Sequence, residues 1–409
     1  MAYDWRHGLP ILRGHSVTLR EPRLADAGAL YSHLTSPPVA QYISTPPPSA
    51  HGFERFIGWV QHERSVGRHA CFGVVPDGSD EVAGLVQVRQ LEADFGTAEW
   101  GFALGEAFWG TGLFMECAPL VIDFALRDAR FHRLEARASV DNLRGNRVLE
   151  KLGAAFEGTL RDSFVNNLLR TDQMLWAIVA DEWLAAHPAP SWLSSAPAET
   201  PPETEPYHRQ PPAAPWRAGL PQLKGQGVTV RELQPEDAPS LAVLFADPDV
   251  GRYIPPPPSS AKDFTRFIHW AREQRLSGSV LCFAVVPDGC EAAVGLLQMH
   301  ELEPPFQNAE WGFALGKPYW GTGLFQRATE VLLRFAFDTI GVRRLEARAM
   351  AANARANAVL RRMGATEEGH LRQSFLLGGQ YHDDVLWSIL AADWRRQQAD
   401  VTRGSRANA

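Results

Sequence analysis

The sequence predicts a duplicated α/β fold, each copy a mixed central β-sheet flanked by helices, and three observations predict it. The hexapeptide Trp109-Gly110-Thr111-Gly112-Leu113-Phe114 returns unchanged as Trp320-Gly321-Thr322-Gly323-Leu324-Phe325, and the other matches between the halves keep the same offset of 211 residues. Twelve of the thirteen tryptophans pair at this offset, and Trp192 lies between the copies, so the repeat extends over a whole domain. Solenoid repeats run at roughly 20 to 50 residues, so a period this long means duplicated domains. The second observation is that short apolar runs of strand type alternate with segments of helical spacing in the same order in both halves. The third is a strand, glycine turn and helix unit at the centre of each copy.

In the first copy, Val17 to Arg20 has the alternation of a strand, and Arg23 to Leu34 follows as a helix with Asp26 in its first turn. Phe53, Phe56, Ile57 and Val60 recur at helical spacing within Phe53 to Ser65. Three strand-like runs come next, Cys71 to Val75, Val82 to Val88 and Ala98 to Leu104. After the glycine turn, Leu113 to Arg127 has helical spacing, Leu134 to Val140 is a strand, and Arg144 to Leu152 is a helix ended by Gly153. Met174 to Ala180 closes the domain as a strand. The expected order is β-α-α-β-β-β-α-β-α-β-β in both halves.

A chain of 409 residues is long enough for two or three domains, and the repeat selects two. The expected boundaries are residues 5–186 and 216–397, with a linker at 187–215 and a polar tail at 398–409. Nine prolines fall between His187 and Pro215, a composition that favours an extended, polyproline-like connection. A hydrophobic fraction of 45% with 21% charged residues is that of an ordinary globular protein. No apolar run approaches the roughly 20 residues that span a bilayer, and Met1 to Pro10 lacks the basic and apolar regions of a signal peptide, so the expected compartment is the cytoplasm and no membrane partner is expected. The net charge of −7 argues against nucleic-acid binding and mildly favours cationic small partners. Of the four cysteines only Cys71 and Cys282 repeat, in strand-like surroundings, which reads as reduced core thiols and not as a disulfide or metal set.

The chemistry centres on Ala98-Glu99-Trp100-Gly101-Phe102-Ala103-Leu104, the turn Trp109-Gly110-Thr111-Gly112, and the helix behind it. A glycine turn at a helix N-terminus leaves N–H groups unpaired at the positive end of the dipole, which suits a phosphate, and glycine removes the Cβ atoms that block its approach. A helix-capping turn without a ligand has the same sequence pattern. The pattern is neither a P-loop, since no Lys-Ser/Thr follows, nor a dinucleotide fingerprint.

With these elements in order the chain resembles the GNAT superfamily of acyl-CoA-dependent N-acyltransferases, specifically its RimJ/RimL-like branch, over nearly all of both copies. The resemblance rests on Val17-Thr18-Leu19-Arg20, Ala98-Glu99, the glycine turn, His132-Arg133-Leu134-Glu135-Ala136, and Asn142 with Leu149-Glu150-Lys151-Leu152-Gly153-Ala154. In the second copy Arg343-Arg344-Leu345-Glu346-Ala347, Asn353 and Leu360-Arg361-Arg362-Met363-Gly364-Ala365 stand at the matching places. The resemblance implies that acetyl-CoA is the cofactor. Its pyrophosphate would lie on Trp109, Gly110, Thr111, Gly112, Leu113 and Phe114, and on Trp320, Gly321, Thr322, Gly323, Leu324 and Phe325. Phe102, Leu104, Phe313 and Leu315 would offer backbone groups to the pantetheine and acetyl parts, and Asn142 and Asn353 would hydrogen-bond the cofactor arm.

Two departures from the family pattern stand out. Phe114 and Phe325 replace the usual Gly or Ala, and Trp109 and Thr111 stand where a basic residue is usual, so phosphate binding is expected to lean on backbone dipoles. The Ser or Tyr that often protonates the leaving thiolate is replaced by Gly145 and Leu149, and by Ala356 and Leu360. A thiolate with a free pKa near 8.5 leaves with little help, so no general acid is assigned.

An amine attacks a thioester only when neutral, and removing the proton from a lysine-like amine at pH 7 costs about 4 kcal/mol. Glu99 and Glu310 are the candidate bases: each sits in an apolar strand just upstream of the turn, where burial is expected to raise the carboxyl toward a useful range. The rival reading is an ion pair with Arg137 or Arg348. Gly101 and Gly312 suggest a bulge that turns an N–H toward the thioester oxygen. Phe53, Phe56 and Trp59 read as core or pocket wall, His132 is replaced by Arg343 and is not assigned to catalysis, and no metal site is expected. The predicted activity is acetyl transfer to an amine, either a protein N-terminus or a small molecule, by direct attack in a ternary complex with one site per domain. The alternative is a regulatory protein that holds acyl-CoA without turnover. The oligomeric state is left open, with pairing of the two domains inside one chain among the arrangements.

Overall fold

The computed structural model describes residues 4–92, 96–166, 169–188, 214–303 and 306–407. Most of the expected linker, residues 189–213, lies outside the described residues. The chain divides into two compact units, Met1–Arg209 with Leu371–Leu376, and Gln210–His370 with Leu377–Ala409.

The first copy carries strands in the order Leu12–Arg13, Val17–Arg20, His69–Pro76, Gly84–Glu92, Thr97–Leu104, Arg133–Ser139, Leu169–Val179 and Ala155–Asn166. Neighbours are antiparallel, except that Thr97–Leu104 and Arg133–Ser139 run parallel across a helical crossover. Helices cover both faces. On one, Ala50–Ser65 and Ala27–Leu34 bury Phe53, Ile57, Val60, Leu30 and Leu34 against Cys71, Val75 and Leu85. On the other, Leu113–Asp123 buries Leu113, Cys117, Leu120 and Val121 against Leu19, Phe72, Val86, Trp100 and Leu134. Truncating a core side chain such as Ile57 to alanine costs about 2–5 kcal/mol. The second copy repeats this plan, with Ala261–Ser277 on one face and Leu324–Arg334 on the other, and Asn308–Leu315 parallel to Arg344–Met350.

Local chemistry explains the element ends. Asp26 accepts from the Arg23 amide at 2.7 Å and from both terminal guanidinium nitrogens of Arg20, closing a 3-10 turn, Leu24–Asp26, ahead of the helix at Ala27. Asp237, Gln234 and Arg231 repeat the device. The segment expected as one helix to Arg127 is α-helical to Asp123 and then winds as a π-turn over Phe124–Asp128. Pro119 is not the cause, since Phe335–Ile340 winds the same way behind a helix without proline. The closing strand ends at Val179 and a helix, Ala180–Ala186, follows. In the second copy the last helix runs Ala391–Ala407, so the polar tail continues it as far as Ala407. Cys71, Cys117 and Cys282 are buried and Cys290 is exposed, none in a disulfide.

Candidate active site

The central strand meets its parallel neighbour over three residues only. Thr97, Ala98 and Glu99 pair with Arg133, Leu134 and Glu135, while on its other edge the same strand stays paired with Gly84–Glu92 as far as Leu104. From Trp100 onward the two parallel strands part, and among the described residues the facing edge of Trp100–Leu104 has no ladder partner. Asn308, Ala309 and Glu310 with Arg344, Leu345 and Glu346 repeat the geometry. A wedge between parted strands presents backbone N–H and C=O groups to an extended ligand, the way a peptide adds to a sheet edge. Phe102 and Phe313 lie on this open stretch.

The glycine turn closes the wide end. Gly110 and Gly112 take φ of 75° and 89°, and Gly321 and Gly323 take 74° and 77°, a left-handed conformation open to glycine at little cost. A Cβ built on Gly110 or Gly112 would meet nothing within 4 Å, so their absence of side chains leaves clear space over the backbone. Thr111 ties the turn internally: its hydroxyl donates to the Phe108 carbonyl at 2.8 Å and accepts from the Leu113 amide at 3.3 Å. The amides of Gly112, Phe114 and Met115 have no acceptor among the described residues, and those of Gly323, Phe325 and Gln326 match them. Three donors converge at the positive end of each helix, an arrangement that suits a phosphate.

Each remaining expected residue has a definite place. The Trp109 indole donates to the Leu104 carbonyl at 2.9 Å, and Trp320 to that of Leu315 at 2.7 Å, which pins the turn to the strand end. Leu104 and Leu315, expected to offer backbone groups to the cofactor, thus each hold an indole N–H through the carbonyl. Phe114 packs on Phe102, with centroids 3.8 Å apart; Phe325 and Phe313 lie 4.4 Å apart. Asn142 caps the helix Leu143–Lys151, its Oδ1 accepting from the Gly145 amide at 2.9 Å, while its Nδ2 makes no hydrogen bond among the described residues. Asn353 caps Ala354–Arg362 in the same way, at 3.1 Å to Ala356. Gly145, Leu149, Ala356 and Leu360 are buried, and a Cβ on Gly145 would strike the Asn142 side chain at 2.6 Å, so no acid comes from these positions.

The bulge expected at Gly101 and Gly312 is absent. Gly101 pairs regularly with Gln87 and Gly312 with Gln298; the register slips instead between Gln90 and Glu92, and between Glu301 and Glu303. A Cβ on either glycine would meet nothing within 4 Å, so these glycines open space beside the glutamate.

Glu99 lies at the last paired position, where the strands begin to part, and its side chain is 26% exposed. Its expected rise in pKa does not occur. Burial pushes the carboxyl up, but Arg89, 2.5 Å away, and Arg137 outweigh it and hold the group below its ordinary value. Glu310 occupies the same place, 25% exposed, with the Arg348 Nε 3.9 Å from its carboxylate. The ion-pair reading thus describes both glutamates in part, through Arg89 in the first copy and Arg348 in the second.

Three features are missed by sequence reasoning. Arg133, fully buried, bonds Glu135 at 3.1 Å and also Glu157, and Arg344 bonds Glu346 and Glu368 at 2.9 and 2.7 Å, so paired charges underlie the parallel junction. Asn146 takes the Trp176 indole at 2.9 Å while donating to the Ser139 carbonyl at 2.9 Å, which ties the capped helix to the strand end; Asn357, Trp387 and Met350 do the same. The offset of 211 repeats Asn146 and Trp176, which is the signal that could have found them. Last, the guanidinium of Arg144 lies 4.2 Å from the Trp109 ring centroid and that of Arg355 lies 3.9 Å from that of Trp320.

A family model described as "Acetyltransferase (GNAT) domain" matches residues 16–155 and 228–366. The protein named "Putative ribosomal N-acetyltransferase YdaF" of Bacillus subtilis (strain 168) is 28% identical over 177 residues, 42% of this chain and 95% of its own. The [ribosomal protein uS5]-alanine N-acetyltransferase of Escherichia coli (strain K12) is 24% identical over 190 residues, 44% of this chain and 96% of its own. The spermidine N(1)-acetyltransferase of the same organism is 28% identical over 167 residues, 40% and 85%.

Proposed function

The chain belongs to the GNAT family of acetyltransferases, matched over both copies, and from that premise we propose that each copy carries its own site for acetyl transfer to a primary amine. The chain is an acetyl-CoA-dependent N-acetyltransferase; what is proposed is the site, the base and the acceptor. The observation that carries the proposal is the parting of two parallel strands beside a glycine turn with unused amides, with a glutamate at the point of parting, found in both copies.

Acetyl-CoA supplies an activated acyl group on sulfur. The amides of Gly112, Phe114 and Met115 would hold its pyrophosphate, the open edge at Phe102 would hydrogen-bond the extended arm, and the Asn142 Nδ2, which makes no hydrogen bond among the described residues, would also donate to it. The acceptor amine enters on the face bearing Glu99 and Gly101, where the missing Cβ leaves room. Glu99 or Glu310 takes the ammonium proton, directly or through a water. The nitrogen would then bond the acetyl carbon as the carbon–sulfur bond breaks, the electron pair leaving on a thiolate that takes the second nitrogen proton, so that with a free thiol pKa near 8.5 no dedicated acid is needed. The acceptor is a cationic amine, either a polyamine or a protein N-terminus: one relative is named for spermidine and another for an alanine of a ribosomal protein, and a net charge of −7 favours a cation.

A thiol-release assay with acetyl-CoA against spermidine and peptides beginning with alanine tests this, on wild type, Glu99→Gln and Glu310→Gln. Release with one acceptor, reduced in each variant, is the expected result. Tight acetyl-CoA binding with no release for any amine would instead support the acyl-CoA-binding protein.

A further inference from the structure

We propose that Arg144 and Arg355 supply the cation that the glycine turn itself lacks, each held over a tryptophan so that its guanidinium takes a phosphate at the nucleotide end of the cofactor. The inference rests on the function proposed above and adds to it a residue that determines affinity. Trp109 and Thr111 leave the turn without a basic side chain, so the turn's own attraction for a dianion comes from amides and helix dipole alone. The next helix in the fold makes up the difference. Asn142 caps that helix, Asn146 fastens it to the strand end, and Arg144 in its first turn therefore has a fixed origin.

The far end of Arg144 is fixed as well. Its guanidinium lies 4.2 Å from the centroid of Trp109, whose indole is itself tied to the Leu104 carbonyl at 2.9 Å. Trp109 directly precedes Gly110, so the cation stands at the mouth of the turn. Arg144 is exposed and has no ion pair among the described residues, which is the state of a cation reserved for an external anion. Stacking on the ring costs it none of its five N–H donors, which lie in the guanidinium plane and match a phosphate bidentately. The second copy repeats the stack and its supports, with Arg355 over Trp320 at 3.9 Å, Trp320 tied to Leu315 at 2.7 Å, and Asn353 and Asn357 holding the helix, while Arg355 also feels the Asp249 carboxylate. Recurrence at an offset of 211 in two copies that differ at many surface positions separates this stack from a chance contact.

The copies differ in what else surrounds the turn. The helix behind it carries Glu116 in the first copy and Arg327 in the second, where the Arg327 Nη1 approaches the Thr322 carbonyl at 3.4 Å. The first copy therefore depends more heavily on its stacked arginine.

The test is titration calorimetry of the full chain with CoA and with dephospho-CoA, which lacks the 3′-phosphate, for wild type, Arg144→Ala, Arg355→Ala and the corresponding lysine variants. Arg144→Ala is expected to weaken CoA at one site by about tenfold, Arg355→Ala by less, and lysine to restore part of the loss because it keeps charge without the planar fork. A loss confined to CoA assigns the 3′-phosphate as the partner, and an equal loss for both ligands assigns the pyrophosphate; either supports the proposal. Unchanged CoA affinity in both alanine variants overturns it. Failure of wild type to bind CoA would overturn the proposed function itself and this inference with it, so the two failures are distinguishable.

Discussion

The two copies share a backbone plan and differ in the charges set around it. Across the first sheet one row reads His69, Arg89, Glu99, Glu135, each opposite the next; across the second the row reads Val280, His300, Glu310, Glu346. Arg89 grips Glu99 and, after burial has pushed the carboxyl up, is the largest influence pulling it down. Burial holds His300 below its ordinary value, so a neutral imidazole stands opposite Glu310 at pH 7, and the Arg348 Nε lies 3.9 Å from the Glu310 carboxylate. A carboxylate with fewer cations around it is the stronger base. The turn points the same way, with Arg327 in place of Glu116. The first copy sets Arg89 opposite its glutamate and the second sets His300 there, and we propose that this exchange makes the two glutamates unequal bases.

The comparison breaks most visibly at the bases. The double variant Glu99→Gln with Glu310→Gln should lose about 10²–10⁴-fold in kcat/KM, with Glu310→Gln alone accounting for most of it, measured by thiol release at pH 7.5. Equal losses in the two single variants would remove the asymmetry. The next effect is on stability. His69 is buried beside Arg89, and burial first, then that arginine, holds its pKa down to about 4. The unfolded chain takes up a proton as pH falls through about 6.5, whereas the folded core refuses it until about 4. Stability is therefore complete above that upper value and declines by about 3 kcal/mol toward the lower one. His69→Val, which copies the second sheet, should flatten that decline in thermal melts at pH 4.5 and 7.5.

Exchange of the facing residue comes third. Arg89→His in a Glu310→Gln background should raise the rate of the first site about threefold to tenfold, and His300→Arg in a Glu99→Gln background should lower the second by a similar factor. The acid limb should move with it, since the ionised base persists above its own pKa: Glu99, held low by Arg89, gives no inflection between pH 5 and 8 until Arg89 is replaced. The smallest effect sharpens the similarity instead. Asn142→Ala and Asn353→Ala should each cost about 1 kcal/mol in denaturant unfolding, because both cap a helix through the same bond.

Much of this was legible in the residues. The repeat, the alternating strand of Ala98 to Leu104 and the two glycines of each turn are local patterns, and local patterns fix strand, turn and helix. The position of Glu99 followed from the strand period alone. Its ionisation did not, because Arg89 meets it across a strand pairing whose register no short window reveals. The same holds for Arg133 and Arg344: a charged residue in a strand reads as solvent-facing until Glu135, Glu157, Glu346 and Glu368 are placed around it. Gly101 suggested a bulge by type, yet its pairing is regular and its purpose is space. The stacking of Arg144 left no mark in the sequence, because its partner, Trp109, lies 35 positions away in the chain.

The parted strands also bear on solubility. An unpaired strand edge is a template on which another polypeptide can add, and proteins usually blunt such edges with charge or proline or cover them. Here the edge of Trp100–Leu104 lies inside the sheet, with Arg133–Ser139 still paired only a few residues before it. An added strand needs neighbours about 4.8 Å away on each side along its whole length, whereas here Arg133–Ser139 is already paired to the residues just before the gap. Each half thus keeps its uncommitted backbone groups between two of its own strands, away from the margin of the sheet.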